Sequence, residues 1–171
     1  MPRPKGQCRL IEHENPLRLA LFQPDIPQNT GSLLRLSACF GLPVDIVEPC
    51  GFVFSDAKLR RAGMDYLHHA AVVRHSSWAA FTATLEEQGR RLVLLTTAGE
   101  TRHDLFPFRP GDTIMVGRES AGVPPEVAAR AQARLRIAMV PGVRSLNVAL
   151  AAAMAVGEAL RQLGAFPAEP E

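Results

Sequence analysis

The sequence predicts an α/β fold: a mostly parallel, doubly wound sheet with helices on both faces. Short apolar runs alternate along the chain with segments of helical period, and such alternation is typical of successive βαβ units. The runs are also continuously apolar, as in "RLVLLTT" and "DTIMVG". Continuous apolar runs indicate strands that are buried on both faces, as in parallel sheets.

The elements follow from these runs in chain order. The apolar runs predict strands over residues 17–23, 43–47, 70–73, 91–96, 113–117 and 134–139. The segments of helical period predict helices over residues 30–40, 56–62, 77–88, 125–132 and 146–163. Serine is a favoured N-cap and glycine a favoured C-terminal stop. We therefore predict caps at Ser55, Ser76 or Ser77, and Ser145, with stops at Gly63, Gly89 and Gly164.

The chain of 171 residues suggests one domain with a substantial core. We assign residues 17–164 to it, with a flexible polar N-terminal arm over 1–16 and a short tail over 165–171. The net charge is only +2, so binding to nucleic acid would need a local basic patch rather than an overall field.

The cysteines indicate the compartment. Cys8, Cys39 and Cys50 form no C-x-x-C pair, which favours reduced thiols in a cytoplasmic protein. No apolar run reaches the roughly 18 residues that a membrane span needs, so no membrane partner is predicted.

Three loops that follow predicted strands combine glycine or proline with polar side chains and lead into helices. They are "QPDIPQNTG" (23–31), "GRESAGVPP" (117–125) and "VPGVRSLN" (140–147). In open parallel sheets, ligands bind beyond the carboxyl ends of the strands. Glycines allow close approach to the backbone, and helix N-termini favour anionic groups. Each loop alone fits an ordinary helix entry, but together they favour a ligand site.

Several familiar sites are excluded. No G-x-G-x-x-G follows the first strand, "GRESAG" lacks the Lys-Ser/Thr of a P-loop, and no G-x-S-x-G surrounds Ser120 or Ser145. His68 and His69 would point to opposite faces of a strand, and no ligand cluster completes a set. We therefore predict no metal site.

One dense basic patch stands out, in "KLRRAGMDYLHH". Lys58, Arg60 and Arg61 fit either a solvated helix face or a surface that contacts RNA phosphates. Tyr66 is available to stack on a base or sugar.

Four motifs carry a resemblance to a known family. "IPQNTGSLLR", "RRAGMDY", "GRESAGVP" and "MVPGVRSLN" resemble, in order and spacing, the motifs of the SPOUT superfamily of RNA methyltransferases. Within it they are most similar to the small enzymes that methylate the ribose 2′-hydroxyl of the tRNA wobble nucleotide, position 34. The resemblance covers about residues 17–164 and implies a deep C-terminal trefoil knot, S-adenosyl-L-methionine as cofactor, a homodimer, and the tRNA anticodon stem-loop as partner.

The resemblance also implies site residues. Those implied to contact the cofactor are Leu95, Gly99, Gly117, Gly122, Ile137, Met139, Ser145, Leu146 and Asn147. Those implied to be catalytic are Arg35, Asn29, Glu119 and Ser145. Those expected to contact RNA are Lys58, Arg60, Arg61, Tyr66 and Arg144.

The chain departs from the family pattern at two places. It has Ile137-Ala138-Met139 where relatives often read Ile-Pro-Met, and Asn147-Val148-Ala149-Leu150 where they continue Asn-Leu-Ser-Asn. Two polar side chains near the site are therefore missing. We expect a tRNA wobble ribose 2′-O-methyltransferase; the alternatives are the same chemistry on ribosomal RNA and a catalytically silent RNA-binding dimer.

Overall fold

A computed structural model describes residues 15–53 and 71–168. Its strands are β1 (Arg18–Phe22), β2 (Val44–Val47), β3 (Val72–His75), β4 (Arg91–Leu95), β5 (Thr101–Arg102), β6 (Asp112–Val116) and β7 (Ala133–Arg136). They form a 7-stranded sheet in the order β3-β2-β1-β6-β4-β7-β5, and every pair of neighbours is parallel. The predicted α/β fold with a parallel sheet is confirmed.

Helices cover both faces of this sheet. They are α1 (Pro27–Phe40), α2 (Trp78–Glu87), α3 (Pro125–Arg130) and α4 (Val148–Leu163), with a 3-10 helix over His103–Leu105. The predicted helix over 56–62 lies outside the described residues. None of the helices in 15–53 and 71–168 is both long and apolar enough to cross a membrane.

The inner strand β1 shows why residues 19–22 are apolar without interruption. Leu19 and Leu21 pack into the core layer that α1 and α4 cover. Ala20 and Phe22 pack into the opposite layer, under α2 and α3. Successive side chains of a strand point to opposite faces, so both sets must be apolar when both faces are buried.

The strand register brings the loops of interest together. Leu21 of β1 pairs with Val116 of β6, Val116 pairs with Leu95 of β4, and Leu95 pairs with Leu135 of β7. Because these strands are parallel, their carboxyl ends lie side by side at one edge of the sheet. The loops that follow them therefore share that edge.

Two predicted helix starts need correction. Helix α1 begins at Pro27 rather than residue 30, because proline fits the first turn, where its missing N–H is not needed. Helix α4 is capped by Asn147 and not by Ser145: Asn147 Oδ1 accepts from the N–H of Ala149 at 2.9 Å and of Leu150 at 3.3 Å. The predicted cap at Ser77 is confirmed by the Ala80 N–H, which donates to its Oγ at 3.1 Å.

The strand limits also differ in places. Strand β7 ends at Arg136 rather than residue 139, so the apolar residues after it leave the sheet. Strand β3 runs to His75 instead of ending at residue 73. The segment over residues 101–105, with β5 and the 3-10 helix, was not predicted because so short an element has no periodic pattern.

Both ends of the described chain pack on the domain. Asn15 Nδ2 donates to the Phe40 carbonyl at 3.0 Å, and the Phe166 ring lies edge-on to the Phe40 ring with centroids 5.7 Å apart. The domain limits and the trefoil knot stay predictions.

Candidate active site

A cavity of about 460 Å³ lies at the edge of the sheet where β1, β4, β6 and β7 end. Its volume falls in the range of about 300–1,000 Å³ that is typical of small-molecule sites. The four loops that leave these strands form its wall, which is where the sequence predicts a ligand site.

The cavity collects most of the predicted site residues from distant parts of the chain. The predicted residues that line it are Asn29, Leu95, Gly117, Glu119, Gly122, Ile137, Met139, Ser145, Leu146 and Asn147. They belong to the three predicted loops, to the end of β4 and to the residues that directly follow β7. Three loops that are far apart in the sequence thus form one wall.

Further lining residues were missed by the sequence analysis. They are Leu94, Thr96, Thr97, Val116, Arg118, Val123, Val148 and Ala151. Thr96 and Thr97 directly follow β4, so the rule on carboxyl ends of strands could have found them. Arg118 lies in the predicted loop between Gly117 and Glu119, so the same rule could have found it; its guanidinium carbon lies 5.8 Å from the centre of the Phe22 ring.

Other predicted residues lie outside this wall. Arg35 is exposed on α1 and Arg144 is exposed in the loop before α4, and neither lines the cavity. Gly99 is buried and packs against the backbone of β7, since a Cβ there would lie 2.2 Å from the Leu135 carbonyl carbon. The cofactor contact of Gly99 and the roles of both arginines stay predictions.

The predicted RNA contacts Lys58, Arg60, Arg61 and Tyr66 lie outside the described residues and also stay predictions. Within 15–53 and 71–168, no group of three His, Cys, Asp or Glu side chains is placed to hold a metal ion.

A chain of polar contacts joins three residues of the cavity wall. Asn147 Nδ2 donates to Asn29 Oδ1 at 2.9 Å, and the Asn29 side chain is also hydrogen-bonded to Glu119. These residues come from the loop before α4, the first turn of α1 and the loop after β6. The contacts tie the three loops to each other.

Glu119 has an unusual electrostatic environment. Burial first, and then its side-chain hydrogen bond with Asp25, raise the pKa of Glu119 above its ordinary value. The same hydrogen bond lowers the pKa of Asp25 to about 2. Two carboxyl groups in contact cannot both ionise easily, so Glu119 holds a proton to higher pH than an exposed glutamate does.

The wall offers three kinds of contact. Leu95, Ile137, Met139 and Leu146 supply an apolar surface for an aromatic ring, and Glu119 supplies a carboxyl group. Gly117 lies against Gly122, because a Cβ on Gly117 would be 2.7 Å from the Gly122 carbonyl carbon. Gly122 itself has a φ of 64°, which glycine adopts without strain. These contacts fit S-adenosylmethionine, which carries an adenine, a sulfonium and an amino-acid end.

Comparison with known proteins agrees with this geometry. The profile of the SpoU rRNA Methylase family matches residues 16–157. A tRNA (cytidine(34)-2'-O)-methyltransferase of Beijerinckia indica subsp. indica is 58% identical over 148 residues, which are 86% of this chain and 92% of the relative.

Solved structures agree as well. One described as giving structural insights into the 2-OH methylation of C/U34 on tRNA has a TM-score of 0.81 and 44% identity, over 86% of this chain and 96% of that chain. An AdoMet-bound rRNA methyltransferase from Sinorhizobium meliloti has a TM-score of 0.78 and 26% identity, over 86% of this chain and 56% of that chain.

The parallel sheet and the cavity built by its loops are those of the SPOUT class of RNA methyltransferases. Within that class, the chain belongs to the SpoU rRNA Methylase family.

Proposed function

We propose that the protein is an S-adenosylmethionine-dependent ribose 2′-O-methyltransferase that acts on the wobble nucleotide of tRNA, in the cytoplasm. The observation that carries this proposal is the cavity at the strand ends, which the motif loops line with Asn29, Glu119, Ser145 and Asn147. An intact set of polar side chains at one cavity argues against a silent RNA-binding protein.

The choice of tRNA over ribosomal RNA rests on the relatives. The Beijerinckia tRNA enzyme shares 58% identity over nearly its whole length, whereas the Sinorhizobium rRNA enzyme shares 26% and is matched over 56% of its chain. The chain also covers 95% of a second tRNA (cytidine(34)-2'-O)-methyltransferase, from Ancylobacter novellus, at 55% identity.

The chemistry is a direct displacement. S-adenosylmethionine supplies a methyl group on a positively charged sulfur. The ribose 2′-oxygen forms the new bond to that methyl carbon, the carbon–sulfur bond breaks, and the hydroxyl proton leaves to solvent or a nearby acceptor. The protein contributes position and charge. Gly117 and Gly122 let the cofactor approach the backbone, and Arg35 acts at the ribose.

One assay tests the proposal. The protein is incubated with methyl-labelled cofactor and either total tRNA or ribosomal RNA, and the product nucleosides are separated. We expect label in a 2′-O-methylated nucleoside at tRNA position 34. Label only in ribosomal RNA would move the proposal to the rival substrate, and no label in either would contradict the activity.

We expect S-adenosylmethionine to bind in the absence of metal, and Gly117→Val to weaken that binding about tenfold or more. The reason is that the added side chain would collide with the Gly122 backbone and displace part of the cavity wall; a loss of about 1.4 kcal/mol of binding free energy is tenfold in affinity. Isothermal titration calorimetry on chelator-treated protein measures both. The matched control is Ala121→Val, in the same turn but exposed and outside the cavity wall. Absence of binding heat at millimolar cofactor would contradict the assignment.

We propose further that the protein is a homodimer that buries the outer face of α4. Leu150 is 60% exposed and Met154 is 45% exposed, and these two residues lie four positions apart on the same side of α4. The opposite side of α4 already packs on the sheet through Ala155 and Val156. A helix with apolar residues on two sides requires a second surface, and a second copy of the chain supplies one with the same apolar strip.

We expect light scattering at low micromolar concentration to give the mass of a dimer. Replacing both Leu150 and Met154 with Arg should give a monomer, because the like charges of the two copies would face each other across the apolar strip. Leu105→Arg is the control, since Leu105 is 69% exposed outside α4. A monomeric mass for the unmodified protein, with full activity, would refute the dimer.

For the RNA partner, we propose that Lys58, Arg60, Arg61 and Arg144 contact phosphates of the anticodon stem-loop and that Tyr66 stacks on a base or sugar. Arg144 is exposed beside the cavity loop, which supports its part in this surface.

A further inference from the structure

Asp25 lies behind the cavity wall, in the loop between β1 and α1, and has no role assigned so far. Its backbone N–H donates to Glu119 Oε2 at 3.1 Å. In return, the Glu119 N–H donates to Asp25 Oδ1 at 3.1 Å. Each residue thus binds the backbone of the other with its carboxyl group. This reciprocal pair joins two loops of the cavity.

Asp25 is held from two more sides. Ser120 Oγ donates to Asp25 Oδ2, so both carboxylate oxygens of Asp25 are used on the loop after β6. On the other side, the Gly51 N–H donates to the Pro24 carbonyl at 2.9 Å. A Cβ on Gly51 would lie 2.6 Å from Asp25 Cβ, so only glycine leaves room for the Asp25 side chain there.

The charges around Glu119 are few. Among the described residues, Asp25 is the one titratable side chain that shifts the pKa of Glu119. The other side chain that contributes is the neutral Asn29. The neighbouring Arg118 has its guanidinium over the Phe22 ring, and Arg35 and Arg144 are exposed on α1 and on the loop before α4. None of these three arginines contributes to the pKa shift of Glu119. The state of Glu119 therefore depends on Asp25 more than on any cation described.

We propose that Asp25 is a positioning residue for methyl transfer, which holds the Glu119 side chain and its turn in the orientation that faces the reacting groups. Glu119 lines the cavity, whereas Asp25 touches the reaction only through Glu119. This inference rests on the proposed function.

The test is Asp25→Asn, which keeps the shape and one acceptor oxygen but removes the charge. We expect the single-turnover rate on saturating tRNA to fall about tenfold to a hundredfold. A displacement of a catalytic group by about 1 Å can lower the rate about a hundredfold. Because Asp25 raises the pKa of Glu119, its loss lowers that pKa. The pH dependence of the rate should therefore move to lower pH.

Two further variants separate the effect of Asp25 on the position of Glu119 from the effect of its charge. Ser120→Ala removes one bond to Asp25 but leaves the two carboxyl groups together, so the pH dependence should stay where it is in the unmodified protein. Asp25→Glu keeps the charge, and we expect it to return the pH dependence toward that of the unmodified protein.

A second readout does not depend on activity. Carbon NMR of protein with ¹³C-labelled glutamate carboxyls provides this readout. The Glu119 resonance is assigned as the one that is absent from the spectrum of Glu119→Gln. We expect it to titrate at lower pH in Asp25→Asn than in the unmodified protein. Equal titration in both, or an unchanged pH dependence of the rate, overturns the proposal. An unmodified protein that titrates as expected but methylates no RNA counts instead against the proposed function.

Discussion

Arg35→Ala is expected to fold and bind cofactor normally but to lose about 10²–10³-fold in the rate of methyl transfer, the usual effect of removing a positioned charge-stabilising group. Arg35 is exposed on α1 and outside the cofactor wall, where an RNA substrate can reach it. An arginine keeps its proton, with a pKa above about 12. We therefore propose that it contacts the flanking phosphate and stabilises the negative charge that develops on the 2′-oxygen, rather than acting as an ordinary general base.

Single-turnover rates with saturating tRNA measure this effect, and calorimetry checks that cofactor affinity is unchanged. Arg35→Lys should recover little, because a point charge does not reproduce the planar guanidinium. The control is Arg130→Ala, which removes an exposed ion pair with Glu86 at the far side of α3. If Arg35→Ala turned over at a near-normal rate, the arginine would serve the fold alone.

Gly99→Ala is expected to lower the free energy of unfolding by about 3 kcal/mol, the upper end of the typical cost of overpacking. The added methyl would lie 2.2 Å from the carbonyl carbon and 2.4 Å from the carbonyl oxygen of Leu135. These are backbone atoms of β7, which cannot turn aside as a side chain would. The loop after β4 is also bonded to β7, since the Glu100 N–H donates to the Arg134 carbonyl at 3.0 Å.

Urea unfolding measures the free energy of unfolding of Gly99→Ala and of the unmodified protein. Gly157→Ala is the matched control, because a Cβ on Gly157 of α4 has no atom within 4 Å and alanine favours a helix. Equal midpoints for the two variants would show that the loop after β4 moves away from β7 at little cost.

Much of the fold was readable from local pattern. The strands that are buried on both faces contain continuous apolar runs, as residues 92–95 of β4 and 114–116 of β6 show, and the helices between them have recognisable ends. Local pattern failed where a choice depended on distant atoms. Ser145 and Asn147 are both good N-caps by type, but only the path of the chain out of β7 decides that Asn147 takes the role.

The site also contains residues that local pattern predicts and residues that it does not predict. Residues of the motif loops, such as Glu119 and Asn147, were predicted because loop composition and the resemblance both point to them. The pairing of Asp25 with Glu119 could not be predicted, because the two residues are 94 positions apart and meet only through the pairing of β1 with β6. The packing role of Gly99 also depends on a strand that comes later in the chain.

The order of strands has a consequence for synthesis on the ribosome. Strand β1 is made first, yet one of its two neighbours is β6, which begins at Asp112, and the last part of the cavity wall comes from α4. A nascent chain that ends before α4 therefore has no complete cofactor pocket. Because a ligand stabilises only the state that binds it, cellular S-adenosylmethionine would favour the finished protein over each shorter intermediate. Besides donating a methyl group, the cofactor would thus stabilise the folded protein only after α4 has been synthesised.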